Sequence, residues 1–263
     1  MSTVVSASDV RAPSSLQELQ VCQFSRLIAD RTVGILPGVR NEVPSAAVAL
    51  AARMHAPGLH IHTFYGELDP RSIRLRAVGG GLSPAAARRP HGLSDLFDLL
   101  HRREVDWAFY GGLQLDGYGN LNLVQAGDPS SGGFRGPGTA GGASQTVCNQ
   151  HLFIWLHEHS PRVLVPEVTF AGVPGQRRIV AAGGTAGAPA GPIVTPLAVL
   201  RYDPVCEAMR LVSVHPGHDV GEVVRKTGFP LLTDGAGVTA LPTAEELHIL
   251  RTEVDPDGRL RST

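Results

Sequence analysis

The chain is short of cysteine, of aromatic residues, of net charge and of long apolar runs, and each shortage removes a class of protein. Its three cysteines, Cys22, Cys148 and Cys206, stand far apart without a Cys-x-x-Cys spacing. That excludes a disulfide framework or zinc knuckle and suits a reducing compartment. Formal net charge is −1, with no basic stripe or tail, so nucleic acid is not expected as the main partner. No apolar run reaches the ~20 residues of a membrane helix. Met1 to Ser15 is polar and small, without the apolar core of a signal peptide. No membrane partner and a cytoplasmic address are the expectations. A Gly-x-Ser-x-Gly nucleophile elbow is missing, and Gly79-Gly80-Gly81 lacks the Lys-Ser/Thr of a phosphate loop.

What the chain does have is 43% hydrophobic residues, 31 glycines and 20 prolines, enough for a sizeable core with many turns. Residues 1–15 read as a flexible tail. Leu16 to Asp30 has apolar residues at helical spacing, Thr32 to Leu36 is a short strand, Pro44 to Met54 a helix, and His60 to Tyr65 a strand. The order strand, loop, helix, strand predicts an α/β fold with an open, mostly parallel sheet flanked by helices. Ligands of such sheets sit beyond the carboxyl ends of the strands. Pro37-Gly38, Phe64 to Glu67 and Gly111-Gly112 then share one rim. Leu93 to Arg102 is an amphipathic helix, and Arg162 to Glu167 reads as a buried strand. Ile193 to Tyr202 and Met209 to His215 look like paired strands. Asp219 to Thr227 and Thr243 to Val254 look like helices, the latter opened by a capping box at Thr243 and Glu246. No linker or repeat interrupts this order, so residues 16–263 are expected to form a single α/β domain.

Trp107 to Ala143 is the densest stretch. Val105 to Leu115 reads as a buried strand, Asp116-Gly117 as a tight turn and Leu121 to Val124 as the return strand. Gly111, Gly112, Gly117 and Gly119 exceed the needs of one turn, and mark positive φ or close approach of backbone to a ligand. A Gly/Pro-rich segment follows, and a long loop inside a compact domain is usually functional. The 11 histidines give only pairs, His60/His62, His157/His159 and His215/His218. A metal needs three or four converging ligands, so no metal is expected. Glu67 is the carboxylate best placed on the strand-end rim, with Arg71, Arg74 and Arg76 beyond it.

Gly111-Gly-Leu-Gln-Leu-Asp-Gly-Tyr-Gly-Asn-Leu-Asn122 closely resembles the Gly-Gly-x-Gln-x-Asp-x-x-Gly-Asn-x-Asn hallmark of class I CoA-transferase β subunits, and every fixed position is present. Gly136 to Ala143 matches the glycine-rich loop of that family, and similarity extends through nearly the whole chain. Val214-His-Pro-Gly217, Leu247 to Arg251 and Val254-Asp-Pro256 look most like the β subunit of the steroid-ring-opening CoA hydrolase. The resemblance implies a fold of the NagB/RpiA/CoA-transferase type and coenzyme A arriving as an acyl-CoA substrate. It also implies a homologous α subunit, paired as α2β2. It carries coenzyme contacts to Gly111, Gly112, Gln114, Asn120 and Gly138, and an oxyanion hole to the N–H groups of Gly142 and Ala143.

The family attacks its substrate with a glutamate two residues before a glycine. Here Phe64 stands there in His60-Ile-His-Thr-Phe-Tyr-Gly66, and phenylalanine is no nucleophile. Glu67 lies three residues further on. The resemblance therefore implies hydrolysis, C–C cleavage or decarboxylation of a thioester without a glutamyl-CoA. The alternatives are a true CoA-transferase working through Glu67, and a catalytically silent structural subunit.

Overall fold

The structure, a computed structural model, describes residues 13–36, 42–64, 66–75, 88–127, 130, 132–139, 141–185 and 187–261. Most of the N-terminal tail, Pro37-Gly38, Arg76 and Gly79 to Gly81 lie outside them. The chain is mixed α/β, with a mostly parallel open sheet flanked by helices. Its residues group into two compact units, 1–99 with 240–263, and 100–239. The first is discontinuous, which is why no linker is legible: the chain leaves it once and returns.

In the first unit, helix α1 (Leu16–Ser25) starts at Ser15 with a capping box to Glu18. It is shorter than the apolar spacing predicts, ending before a turn. Helix α2 (Glu42–Met54) carries Pro44 inside its first turn, and its residues from Val43 to Ala52 are all buried. Strands β1 (Val33–Ile35) and β2 (His60–Thr63) pair in parallel. Strands β3 (Gly66–Leu68) and β4 (Arg89–Pro90) add on antiparallel, before helix α3 (Leu93–His101). The returning C-terminal segment is tied in by ion pairs that the apolar pattern could not foresee. Arg251 and Glu18 are both fully buried and 2.7 Å apart. Arg26 meets Glu246 at 2.6 Å. The closing helix, Ala244–Ile249, has the expected capping box at Thr243 and Glu246, then widens into five residues of π-helix, Leu250–Val254.

In the second unit, β5 (Trp107–Tyr110), β10 (His151–Trp155) and β11 (Ala190–Val194) run parallel. Trp107, Phe109 and Phe153 pack together on one face of β5 and β10, with ring centroids 5.2–5.6 Å apart, Phe109 edge-on to the other two. Strands β12 (Ala198–Asp203) and β13 (Ala208–Val214) follow antiparallel. β14 (Leu231–Leu232) and β15 (Gly237–Val238) both pair with β13. The helices of this unit are short: α4 (Gly142–Cys148), α5 (Gln176–Ala181) and α6 (Val220–Arg225). The last lies in the expected Asp219 to Thr227 segment, and the closing helix of the first unit is α7 in chain order.

Three expectations change here. The strand expected from Ile193 to Tyr202 is two strands, because the Thr195 hydroxyl accepts from the N–H groups of Leu197 and Ala198 and reverses the chain. Arg162 to Glu167 is not a strand; it is a turn with a single bridge from Leu164 to Leu115. The Val105 to Leu115 run stops at Tyr110 and resumes as the two-residue β6 (Gln114–Leu115) beyond Gly111-Gly112.

Candidate functional site

β6 pairs with β7 (Leu121–Asn122), and β8 (Gln125–Ala126) with β9 (Phe134–Arg135). The turn between β6 and β7 runs from Asp116 to Asn120, closed by Gly119 N–H donating to Asp116 O at 3.0 Å. Its positive φ falls on Gly119, at 76°, rather than on Gly117. Four side chains of the hallmark turn towards each other beneath it. Asp116, 1% exposed, accepts from the N–H groups of Tyr118 and Asn120, each at 3.0 Å. The Asn120 amide donates to both Asp116 oxygens, at 3.1 and 2.9 Å. Asn122 donates to Gln114 Oε1 at 2.8 Å and to Gln125 O at 2.6 Å.

This hub also holds a strip of chain from Val168 to Gly175. Gln114 Oε1 accepts from Thr169 N–H at 3.1 Å, and Asn120 Oδ1 from Gly175 N–H at 2.8 Å. Leu121 and Val173 exchange two backbone bonds of 2.9 Å. The polar atoms that the resemblance assigned to coenzyme A at Asn120 are thus used within the protein, and so is Gln114 Oε1. Gly112 has a packing reason as well, since a Cβ there would meet Leu121 Cδ1 at 2.4 Å. Gly111 has only an ordinary contact, Trp155 O at 3.5 Å, and Gly138, at φ 97°, opens onto free space.

Helix α4 follows the glycine-rich loop. Gly142 is buried, and its N–H donates to Thr139 O at 2.8 Å. The expected pair of oxyanion donors is therefore not a free pair: the loop closes on the Gly142 donor. Ala143 is exposed, and no acceptor among the described residues takes its N–H. On its other side Gly142 is pressed against the strip, where a Cβ would meet Val173 Cγ2 at 2.5 Å and Gly172 O at 3.3 Å.

In the first unit, Phe64 lies half-buried just past the end of β2. Glu67 sits on β3 opposite His62, but its carboxylate takes His60 Nδ1 at 3.2 Å. Arg89 Nε is 3.9 Å from the same carboxylate. His60 opens β2, so the carboxylate leans back from the strand end where Phe64 lies. His62 Nδ1 faces His91 Nε2 at 3.1 Å, and burial first, then His91, lowers the His62 pKa.

The remaining histidine pairs also separate. His157 packs at a tilt against Trp155, with centroids 3.9 Å apart, whereas His159 is buried between the hydroxyls of Thr195 at 2.8 Å and Thr227 at 3.0 Å. His215 is buried too, bonded to Thr239 Oγ1 at 2.9 Å and Thr195 O at 3.0 Å. Among the described residues no three His, Cys, Asp or Glu side chains are grouped to hold a metal ion. Nor is any helix among them long and apolar enough to cross a membrane.

Sequence reasoning does not single out Asp116 or Asn122 as site residues, and it misses the 168–175 strip. The signal is there: an Asp and an Asn four apart across a Gly-containing turn, and a Gly172-Val-Pro-Gly175 stretch with no turn to serve.

One subunit of the glutaconate CoA-transferase of Acidaminococcus fermentans is 28% identical over 254 residues, covering 91% of this chain and 92% of that protein. The cholesterol ring-cleaving hydrolase IpdB subunit of Mycobacterium tuberculosis is 30% identical over 166 residues, covering 58% of this chain and 63% of its own length. A crystal structure of the decarboxylase AibA/AibB superposes with a TM-score of 0.77 at 25% identity, covering 94% of this chain and 97% of that one. No protein-family model matches the chain. The chain is a homologue of the β subunits of the CoA-transferase family, whose members act on CoA thioesters. Among its relatives stand subunits of a transferase and of a ring-cleaving hydrolase, and a chain of the decarboxylase AibA/AibB.

Proposed function

We propose that this chain is the β-type subunit of a cytoplasmic α2β2 enzyme that processes an acyl-CoA thioester without a glutamyl-CoA intermediate. The reaction is hydrolysis, C–C cleavage or decarboxylation, and it needs no metal. One observation carries the reading. The strand end where the family keeps its nucleophile bears Phe64, and the nearest carboxylate, Glu67, is engaged by His60 at 3.2 Å. A side chain without a lone pair cannot open a thioester by attack, whereas polarising the carbonyl needs only well-placed donors. Ala143 N–H is the donor of the glycine-rich loop for that role, and the space beside the Cα of Gly138, whose own N–H goes to Leu123 O, and beside Gly111 is left for the coenzyme.

Likeness to the glutaconate CoA-transferase subunit over 91% of the chain favours a second reading, transfer of CoA through Glu67. Trapping separates the two. A glutamyl thioester is reduced by borohydride and converted to a hydroxamate by hydroxylamine. After incubation with acyl-CoA and either reagent, the mass of this chain is expected to stay unchanged. A modified peptide carrying Glu67 would restore the transferase reading.

A further inference from the structure

The hallmark hairpin and the glycine-rich loop are joined by the strip from Val168 to Gly175. On one side the strip hangs from hallmark side chains: Asn120 takes Gly175 N–H and Gln114 takes Thr169 N–H. Gly175 packs directly against the backbone of the turn, since a Cβ there would collide with Tyr118 O and meet Asn120 N at 3.2 Å. On the other side the strip is the wall of the loop. A Cβ on Gly172 would meet Thr139 Cγ2 at 2.8 Å, and one on Gly142 would meet Val173 Cγ2 at 2.5 Å. Hairpin, strip and loop therefore pack against one another in sequence.

We propose that Asp116 and Asn120 are positioning residues: they hold the strip in the register that fixes Thr139 and Gly142, and do not contact the coenzyme. The donor balance supports this. Asn120 Nδ2 is consumed by the Asp116 carboxylate and Asn120 Oδ1 by Gly175. Asp116 accepts three backbone N–H groups besides, those of Tyr118 and Asn120 and, at 3.5 Å, that of Val168, and both residues are buried. A buried carboxylate so fully supplied with donors has no capacity left for a ligand. The clamp is a matter of geometry within this unit; its consequence for turnover rests on the thioester reading above.

A swapped pair tests it. Asp116→Asn alone sets two amides against each other, and Asn120→Asp alone sets two carboxylates. In the double variant the new amide at position 116 can donate to the new carboxylate at position 120, while Gly175 N–H keeps its acceptor. Amide hydrogen exchange of the full-length chain, alone or with its partner, reads the clamp without any substrate. Each single variant should speed exchange across 168–175 and 142–146 by at least about tenfold, and the double variant should restore it to within about threefold. Turnover of acyl-CoA with the partner subunit should follow, with kcat falling about tenfold or more in the single variants at a KM within about threefold, and recovering in the double. Native exchange in both single variants, or a double variant that restores neither exchange nor kcat, would overturn the clamp. So would a rise in KM with native exchange, which would mark a direct ligand contact. A wild-type complex that turns over no acyl-CoA would sink the thioester reading and leave the exchange result to decide the clamp.

Discussion

Two hairpins lie at strand ends of this molecule and are built on opposite principles. The hairpin of β6 and β7 is short, and side chains add to its cohesion in two pairs beneath the turn, Asn120 donating to Asp116 and Asn122 to Gln114. The hairpin of β2 and β3 rests on backbone pairing, and its ion pair reaches the surface: His60 is 59% exposed where it meets Glu67. A buried network holds one arrangement because each unmatched partner would carry its full desolvation cost; an exposed pair is replaced by water. Long polar motifs in a sequence are therefore not automatically ligand contacts. Here the side chains of Asp116 and Asn120 are spent within the protein, and Phe64 stands where the resemblance expected a glutamate.

The largest effect that would break this comparison is expected at Gly142. Proline there removes the N–H bonded to Thr139 and drives atoms into Val173, which a Cβ already approaches to 2.5 Å. Loss of that bond together with overpacking should lower the unfolding free energy by about 4–6 kcal/mol, read by urea denaturation. Reading Gly142 only as a donor from sequence would predict lost turnover with folding intact. A Gly142→Pro chain with native stability would favour that simpler view and remove the wall from the account.

How much was legible follows from the same physics. A proline suited to a first turn announced α2 from Pro44 on, apolar spacing announced α3 and a capping box α7, because local burial and local caps shape those elements. The end of α1 and the Glu18–Arg251 pair were invisible, since a buried charge finds its partner 233 residues away. The Thr195 reversal was missed because an apolar run reads the same whether it continues or doubles back. Of the site, the glycine-rich loop and the hallmark were plain in the sequence. The direction their side chains face was not, because Asn120 looks alike whether it meets a ligand or Asp116.

The histidines repeat the contrast on a smaller scale. His159 and His215 are both held near pKa 4, first by burial. Lys226 and His215 oppose charge on His159 while Glu222 and the Val223 carbonyl favour it; at His215, His218 opposes it and the Thr195 carbonyl favours it. An unfolded histidine takes its proton near pH 6.5, so the unfolded state binds more protons between there and pH 4. Stability is therefore full above about pH 6.5 and falls as the pH drops towards 4. By pH 5 the loss should be about 1–2 kcal/mol for each histidine. Urea unfolding from pH 7.5 to 5 measures it, and His215→Gln should flatten the slope. A pH-independent midpoint would mean that these rings are not buried neutral.

The smallest effect is expected at Glu67, and its smallness is the point. The carboxylate meets His60 at 3.2 Å and Arg89 at 3.9 Å, and both partners are mostly exposed, at 59% and 81%. Water screens such pairs and competes for their donors, so Glu67→Gln should change the unfolding free energy by less than about 1 kcal/mol. The glutamine carbonyl can still accept from His60 Nδ1, which preserves the arrangement of β2 against β3. Denaturation of this variant beside Asp116→Asn compares the two hairpins directly, one carboxylate against another. Equal losses would show that the β2–β3 face is as tightly built as the hallmark. A loss confined to Asp116→Asn would leave Glu67 a carboxylate that the fold does not need.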